Sequence, residues 1–209
     1  MEKIISFDSV IASITVHPKV NLEIWEAEDK DYFLIECDAL DDLNIDKTSN
    51  ELRIDYKNQP SLGQVVGAFT DFFLKSDPEQ LKNIETPHLK IKLKLFTKSN
   101  HLRVKINKGI VSVKKDLLGL ELKANHLHDL TLPRISNLTL KVNHGNVALQ
   151  LFPNIVAWDI NLNSGNLYIN KNGNECSYIA RVDGERQEVG LNPKINIRIN
   201  SGVLNFNDV

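Results

Sequence analysis

The chain has 209 residues, a formal charge of −2, and 25% charged and 7% aromatic side chains. That length supplies ample apolar material for one core, and the near-neutral balance gives no global attraction to nucleic acid or to an anionic membrane. No apolar run approaches the ~18–20 residues of a membrane-spanning helix, and the two cysteines, Cys37 and Cys176, form no disulfide framework and read as reduced thiols.

The opening segment MEKIISFDSVIASITV has an apolar start, but Glu2 and Asp8 interrupt it and the alternation that follows is that of a strand. The chain therefore reads as mature from Met1, without an export signal, which taken alone points to the cytoplasm. Residues 1–58 hold irregular strands, VIASITV, VNLEIW, YFLIEC and ELRIDY, the last after a turn at Thr48, Ser49 and Asn50. They are expected to form first coils or a β-rich cap.

Residues 59–87 break the pattern. Ser61 and Gln64 match a capping box, and Val65, Phe69, Phe72 and Phe73 fall on one helical face. Asp77 before Pro78 resembles a second helix start. This spacing predicts a short, partly helical insertion, packed on the flank of the fold or serving as a lid or docking element. From residue 88 the strands become regular, beginning with HLKIKLKLF, whose Leu89, Ile91, Leu93 and Leu95 oppose Lys90, Lys92 and Lys94.

The remaining chain, through residue 209, is a repeat. Asn107, Asn125, Asn143, Asn163, Asp183 and Asn200 each follow an alternating strand, at spacings of 18, 18, 20, 20 and 17 residues. A period of this size marks coils that stack on their neighbours. Before the corner, Leu102, Val104 and Ile106 or Leu138, Leu140 and Val142 share one face; after it, Val111 and Val113 or Val147 and Leu149 resume the alternation. Asn suits a corner through its tolerance of positive φ, and a glycine two residues on allows a tight bend. The second coil has Leu127 in place of that glycine and its Leu130 and Leu132 shifted by one place, which predicts a bulge. The Asp183 coil, ARVDGERQEV, is degenerate. The pattern predicts one all-β domain over residues 1–209: a parallel β-solenoid (β-helix) with irregular N-terminal strands, a short helical insertion at 59–87 and roughly six regular coils over 88–209. A right-handed path follows from the chirality preference of parallel crossovers.

Stacking turns each repeat position into a column. Two residues before each corner stand Lys105, Lys123, Lys141, Asn161, Arg181 and Arg198, all outward by alternation. Neighbouring cations ~4.8 Å apart in water repel by roughly 0.9 kcal/mol, and Glu121 and Asp159 lie in the adjacent column. The row reads either as a solvated face or as a ligand-binding basic ladder of Lys105, Lys123, Lys141, Arg181 and Arg198, extended by Lys90, Lys92 and Lys94, for an anionic polymer such as an acidic glycan. After the corner come Lys108, His126, His144, Ser164, Gly184 and Ser201, with His128 nearby. Three imidazoles suit a transition metal, yet no carboxylate or cysteine recurs beside them, so no metal and no cofactor is expected. Phosphate-binding glycine loops, Gly-x-Ser-x-Gly elbows and paired-cysteine spacings are absent, so no catalytic residues are assigned.

With the repeats DINLNSGNLYI, LKVNHGNVAL and IRINSGVLNF and the opening VIASITVHPKVNLEIW in view, the chain resembles the bacterial putative-adhesin family, domains of unknown function built as single right-handed β-helices. The resemblance implies a non-enzymatic binding or scaffolding role, associated with the cell envelope, with a glycan or protein partner and no catalytic residues. Two other readings stand beside it. One is a structural solenoid forming homo-oligomers through the open end at INIRINSGVLNFNDV. The other is a β-helix enzyme acting on polysaccharide, which would need clustered acids and aromatics.

Overall fold

The computed structural model describes residues 1–57, 90–192 and 194–207. The helical insertion expected at 59–87 lies outside the described residues. Before it run β1 (Glu2–Ser6), β2 (Ser13–Glu26), β3 (Tyr32–Glu36), β4 (Leu43–Lys47) and β5 (Glu51–Tyr56). After it come β6 (Lys90–Thr97), β7 (His101–Val113), β8 (Leu117–Thr131), β9 (Ile135–Gly145), β10 (Val147–Gln150), β11 (Ala157–Ser164) and β12 (Leu167–Asn170). The last four are β13 (Tyr178–Val182), β14 (Glu185–Val189), β15 (Ile195–Ile199) and β16 (Leu204–Asn207). The described residues are all-β, and most neighbouring strands run parallel.

One large open sheet carries the order β1-β3-β6-β2-β7-β8-β9-β11-β15-β13-β14, with β5 also on β2 and β4 on β5. A second, parallel sheet has the order β10-β12-β16. Alternation is the local cause of both. In β7 exposed and buried residues alternate from His101 to Ile106, so Leu102, Val104 and Ile106 face inward. Successive strands then bring like positions together: Ile14, Val104, Leu122, Leu140, Ile160 and Ile197 are register partners in turn. All six are 4% exposed or less. Each such side chain contributes roughly 1.5–3 kcal/mol of burial.

The corner residues act differently from the sequence expectation. Among the described residues, positive φ outside glycine occurs at Asn172, Asp183 and Asn192, and at none of the repeat asparagines. Those asparagines instead bond to one another between neighbouring strands. The Asn125 Nδ2 donates to Asn107 Oδ1 at 2.9 Å, Asn143 Nδ2 to Asn125 Oδ1 at 2.8 Å, and Asn200 Nδ2 to Asn163 Oδ1 at 2.9 Å. An amide holds donor and acceptor in one plane, so identical residues in register satisfy each other. The glycine that follows is required by close approach. At Gly165 (φ +133°) a Cβ would lie 1.8 Å from the carbonyl oxygen of Gly145. The bulge expected in the second coil is present: Gly109 pairs with Leu127 and Ile110 with Asp129, leaving His128 as the extra residue. Leu130 is thereby returned to the core at 4% exposure.

Both ends depart from a simple stack. The strand β2 lies between β6 and β7, so HLKIKLKLF does not sit directly against the strand that follows it. The β2–β7 register shifts between Val16 and Lys19, across Pro18, which has no N–H to give the ladder. At the other end β15 stacks directly on β11, while β13 and β14 form an antiparallel hairpin outside it. The expected Asp183 coil is therefore that hairpin. Val182 pairs with Glu185 around Asp183 (φ 48°) and Gly184 (φ 90°), the two positive-φ residues of a tight Asp-Gly hairpin turn.

Near the N-terminal end a buried polar network joins three loops. Asp31, 4% exposed, accepts from the Ile11 N–H at 2.8 Å, the Lys98 N–H at 2.9 Å and Thr97 Oγ1 at 2.5 Å. Lys115 Nζ donates to the carbonyls of Thr97 and Ser99, both at 3.0 Å, and meets Glu26 at 2.6 Å.

Candidate functional site

The outward positions of the large sheet form rows at right angles to the strands. One runs through Arg53, Thr15, Lys105, Lys123, Lys141, Asn161, Arg198, Arg181 and Arg186 as successive register partners. Lys105, Lys123 and Lys141 are thus immediate neighbours. Arg198 follows Asn161 and Arg181 lies beyond it, the reverse of their order along the chain, because the β13–β14 hairpin sits outermost. Lys92 and Lys94 do not extend this row. They stand opposite Asn21 and Glu23 on the far side of β2, with Lys92 Nζ 3.3 Å from Glu36; Lys90 pairs with Lys19.

The row is unevenly neutralised. Glu121 accepts from Arg103 Nε at 2.8 Å and from Lys123 Nζ at 2.6 Å. The Lys123 and Arg103 hydrogen bonds hold its carboxyl below the usual carboxylate range, against a smaller effect of burial. Arg53 pairs with Asp55 at 2.6 Å and Arg186 with Glu188 at 2.7 Å. Arg198 Nε donates to Asn200 Oδ1 at 3.1 Å. Lys105, Lys141 and Arg181 are exposed, and among the described residues none of the three has a carboxylate partner.

A second row lies just past the corner. Lys19, Lys108, His126, His144 and Ser164 are register partners in turn. The imidazoles of His126 and His144 stack with centroids 4.9 Å apart and planes 21° from parallel. Burial, then the charges of Lys108 and Lys19, push the His128 imidazole below its ordinary value. Among the described residues no three or more His, Cys, Asp or Glu side chains are grouped to hold a metal ion. The strongest ionisable cluster elsewhere is Asp55 with His17 and Arg53. An Asp–His pair is the base half of a hydrolytic triad, but no hydroxyl or thiol is hydrogen-bonded to His17 among the described residues.

Sequence reasoning found the middle of both rows through the 18-residue period. It missed Lys19 and Arg53, since their strands join the sheet across long separations that no period marks. The Asp183-Gly184 dipeptide was the available signal for the hairpin.

No family model matches the chain, and no curated protein matches it. Several solved structures are similar. One, described as a "putative adhesin" from Bacteroides fragilis, has a TM-score of 0.52 at 8% identity, over 99% of this chain and 96% of that one. A "putative cell adhesion protein" from Clostridium sporogenes gives 0.47 at 11% identity, over 100% and 99%. A "putative adhesin" from Parabacteroides merdae gives 0.43 at 15% identity, over 97% and 77%. At this identity the Bacteroides likeness is one of fold.

Proposed function

We propose that the protein is a non-enzymatic, adhesin-like binding module, that its strands form a right-handed parallel β-solenoid, and that its basic row holds an extended anionic polymer. The adhesin names of the similar structures support the general role and an envelope association. The ligand class rests on one observation: Lys105 and Lys141 are exposed, and without a carboxylate partner among the described residues, in a register row with Lys123, on a chain whose net charge is −2. Strand spacing puts one cation every ~4.8 Å, close to the length of one sugar unit in an extended chain. An acidic glycan lying across the strands would meet successive lysines with successive carboxylates or sulfates, and Arg198 and Arg181 continue the row past Asn161.

The test is affinity for polygalacturonate and heparin as a function of salt. Binding should weaken steeply with ionic strength, with one released counterion for each cation engaged. The variant Lys105→Glu/Lys141→Glu should lose tenfold or more. Salt-independent binding, or full affinity in that variant, rejects the proposal.

A second reading, association of copies through the chain's open end, has one observation in its favour. The strand β16 ends its sheet. Strand β14, which ends the large sheet, is exposed throughout and carries Glu185, Arg186 and Glu188, features that discourage edge pairing. A monodisperse monomer in sedimentation at high concentration removes this reading.

A further inference from the structure

Building on the polyanion reading, we infer that the polymer runs along the corner of the coils, between the Lys105, Lys123 and Lys141 row and the Lys19, Lys108, His126 and His144 row, and that mild acidification tightens its binding. Along each strand the two rows are three residues apart, at most about 10 Å. Between them stand the amides of Asn107, Asn125 and Asn143, all exposed. Each ladder bond uses one amide N–H of its donor, so Asn125 and Asn143 each keep a second N–H for a sugar hydroxyl or an anionic oxygen. The arrangement is two charged rails with neutral hydrogen-bonding groups between them, repeated at the spacing of the coils.

The outer rail differs from the inner one in chemistry. At neutral pH its fixed charges are Lys19 and Lys108, and the next two positions are imidazoles. Histidine is the side chain that gains charge on mild acidification. Two stacked rings with centroids 4.9 Å apart repel when both are protonated, and an anion alongside relieves that repulsion. By linkage, such an anion must then bind more tightly when protons are available, and must take up protons as it binds.

Several elements surround this pair. From β2 and β7 come Lys19 and Lys108, and from β8 and β9 come Lys123 and Lys141. His128, on the bulge of β8, is held below its ordinary value by burial and by Lys108, Lys19 and His126. Strand β10, which follows His144, carries no ionisable side chain. The carboxylate nearest in sequence is Asp129, whose Oδ1 accepts from the Leu130 N–H. Glu121 is already shared by Arg103 and Lys123. Among these, no carboxylate is committed to the imidazoles.

Dextran sulfate separates the effect from titration of the ligand, because its sulfates keep their charge throughout. Calorimetry on the whole chain should show binding at about pH 8 that tightens on the order of tenfold by about pH 5.5, equivalent to two or three exposed charge contacts. The binding heat at the lower pH should vary with the ionisation enthalpy of the buffer, reporting proton uptake. His126→Gln/His144→Gln should lose both the increment and the proton uptake. His126→Lys/His144→Lys should bind at the higher pH as the unmodified chain does at the lower, a gain that misfolding cannot imitate. Equal affinity at the two pH values, or an increment that survives in the Gln variant, overturns the inference and leaves the polyanion reading standing. Failure to bind at either pH removes both.

Discussion

Gly165 provides a direct test of how closely neighbouring segments of backbone are packed. In Gly165→Ala the new methyl carbon would lie 1.8 Å from the Gly145 carbonyl oxygen and 2.7 Å from its carbon, at a φ of +133° that L side chains rarely adopt. Gly173 is the matched control, with φ +72° and nothing within 4 Å of the point where its Cβ would stand. Backbone strain alone should cost about 1–2 kcal/mol in Gly173→Ala. In Gly165→Ala a similar strain is joined by a clash with backbone that belongs to a hydrogen-bonded stack. Overpacking of that kind costs about 1–3 kcal/mol, so the total should be about 2–5 kcal/mol. Urea unfolding followed through Trp158 fluorescence, in a Trp25→Phe background, suits the comparison, because that indole is 3% exposed and its Nε1 donates to the Ile135 carbonyl on the neighbouring strand, at 3.0 Å. Stability is not uniform across a structure, and a probe on the strand that leads into Gly165 reports the local loss. If Gly165→Ala costs no more than Gly173→Ala, the glycine does not serve close approach.

Lys115→Met should remove the donors to two buried carbonyls, those of Thr97 and Ser99, and cost about 2–4 kcal/mol; a fall in melting temperature of less than about 2 °C would contradict this. Asn125→Ala should lose two inter-strand amide bonds and about 1–2 kcal/mol in urea unfolding. Asn125→Asp should cost at least as much at neutral pH, where a carboxylate would face the Asn107 carbonyl oxygen, and recover in part when protonated. Burial pushes the Asp55 carboxyl up, but hydrogen bonds from His17 and Arg53 outweigh it and leave the group below the usual carboxylate range. Its stabilisation is therefore complete above the unfolded carboxylate range and is lost as pH falls through the lower folded value. Asp55→Asn should accordingly flatten the acid side of a stability–pH profile, below about pH 5, and an unchanged acid limb would refute this.

What could be read from the amino acids alone follows from contacts that are periodic in sequence. Val104, Leu122 and Leu140 alternate within their own strands and recur at 18 residues, so their inward face and mutual stacking follow from local pattern and spacing. Lys105, Lys123 and Lys141 inherit the same register on the opposite face, and even the bulge at His128 was visible as a one-residue displacement of Leu130. The role of the recurring asparagine was less legible, because corner formation and inter-strand bonding both favour a short amide.

Tertiary structure alone decided which strand occupies which edge. Alternation makes β13 and β15 equally fit to lie on β11, and the period placed the wrong one there. The Asp183-Gly184 turn folds β13 back on β14, and β15 is the strand that pairs with β11. The position of β2 between β6 and β7 was hidden for the same reason, as was the contribution of Lys19 to the outer rail. Side-chain alternation depends on residues two apart and survives in any fold, whereas strand order depends on partners dozens of residues away competing for the same exposed backbone.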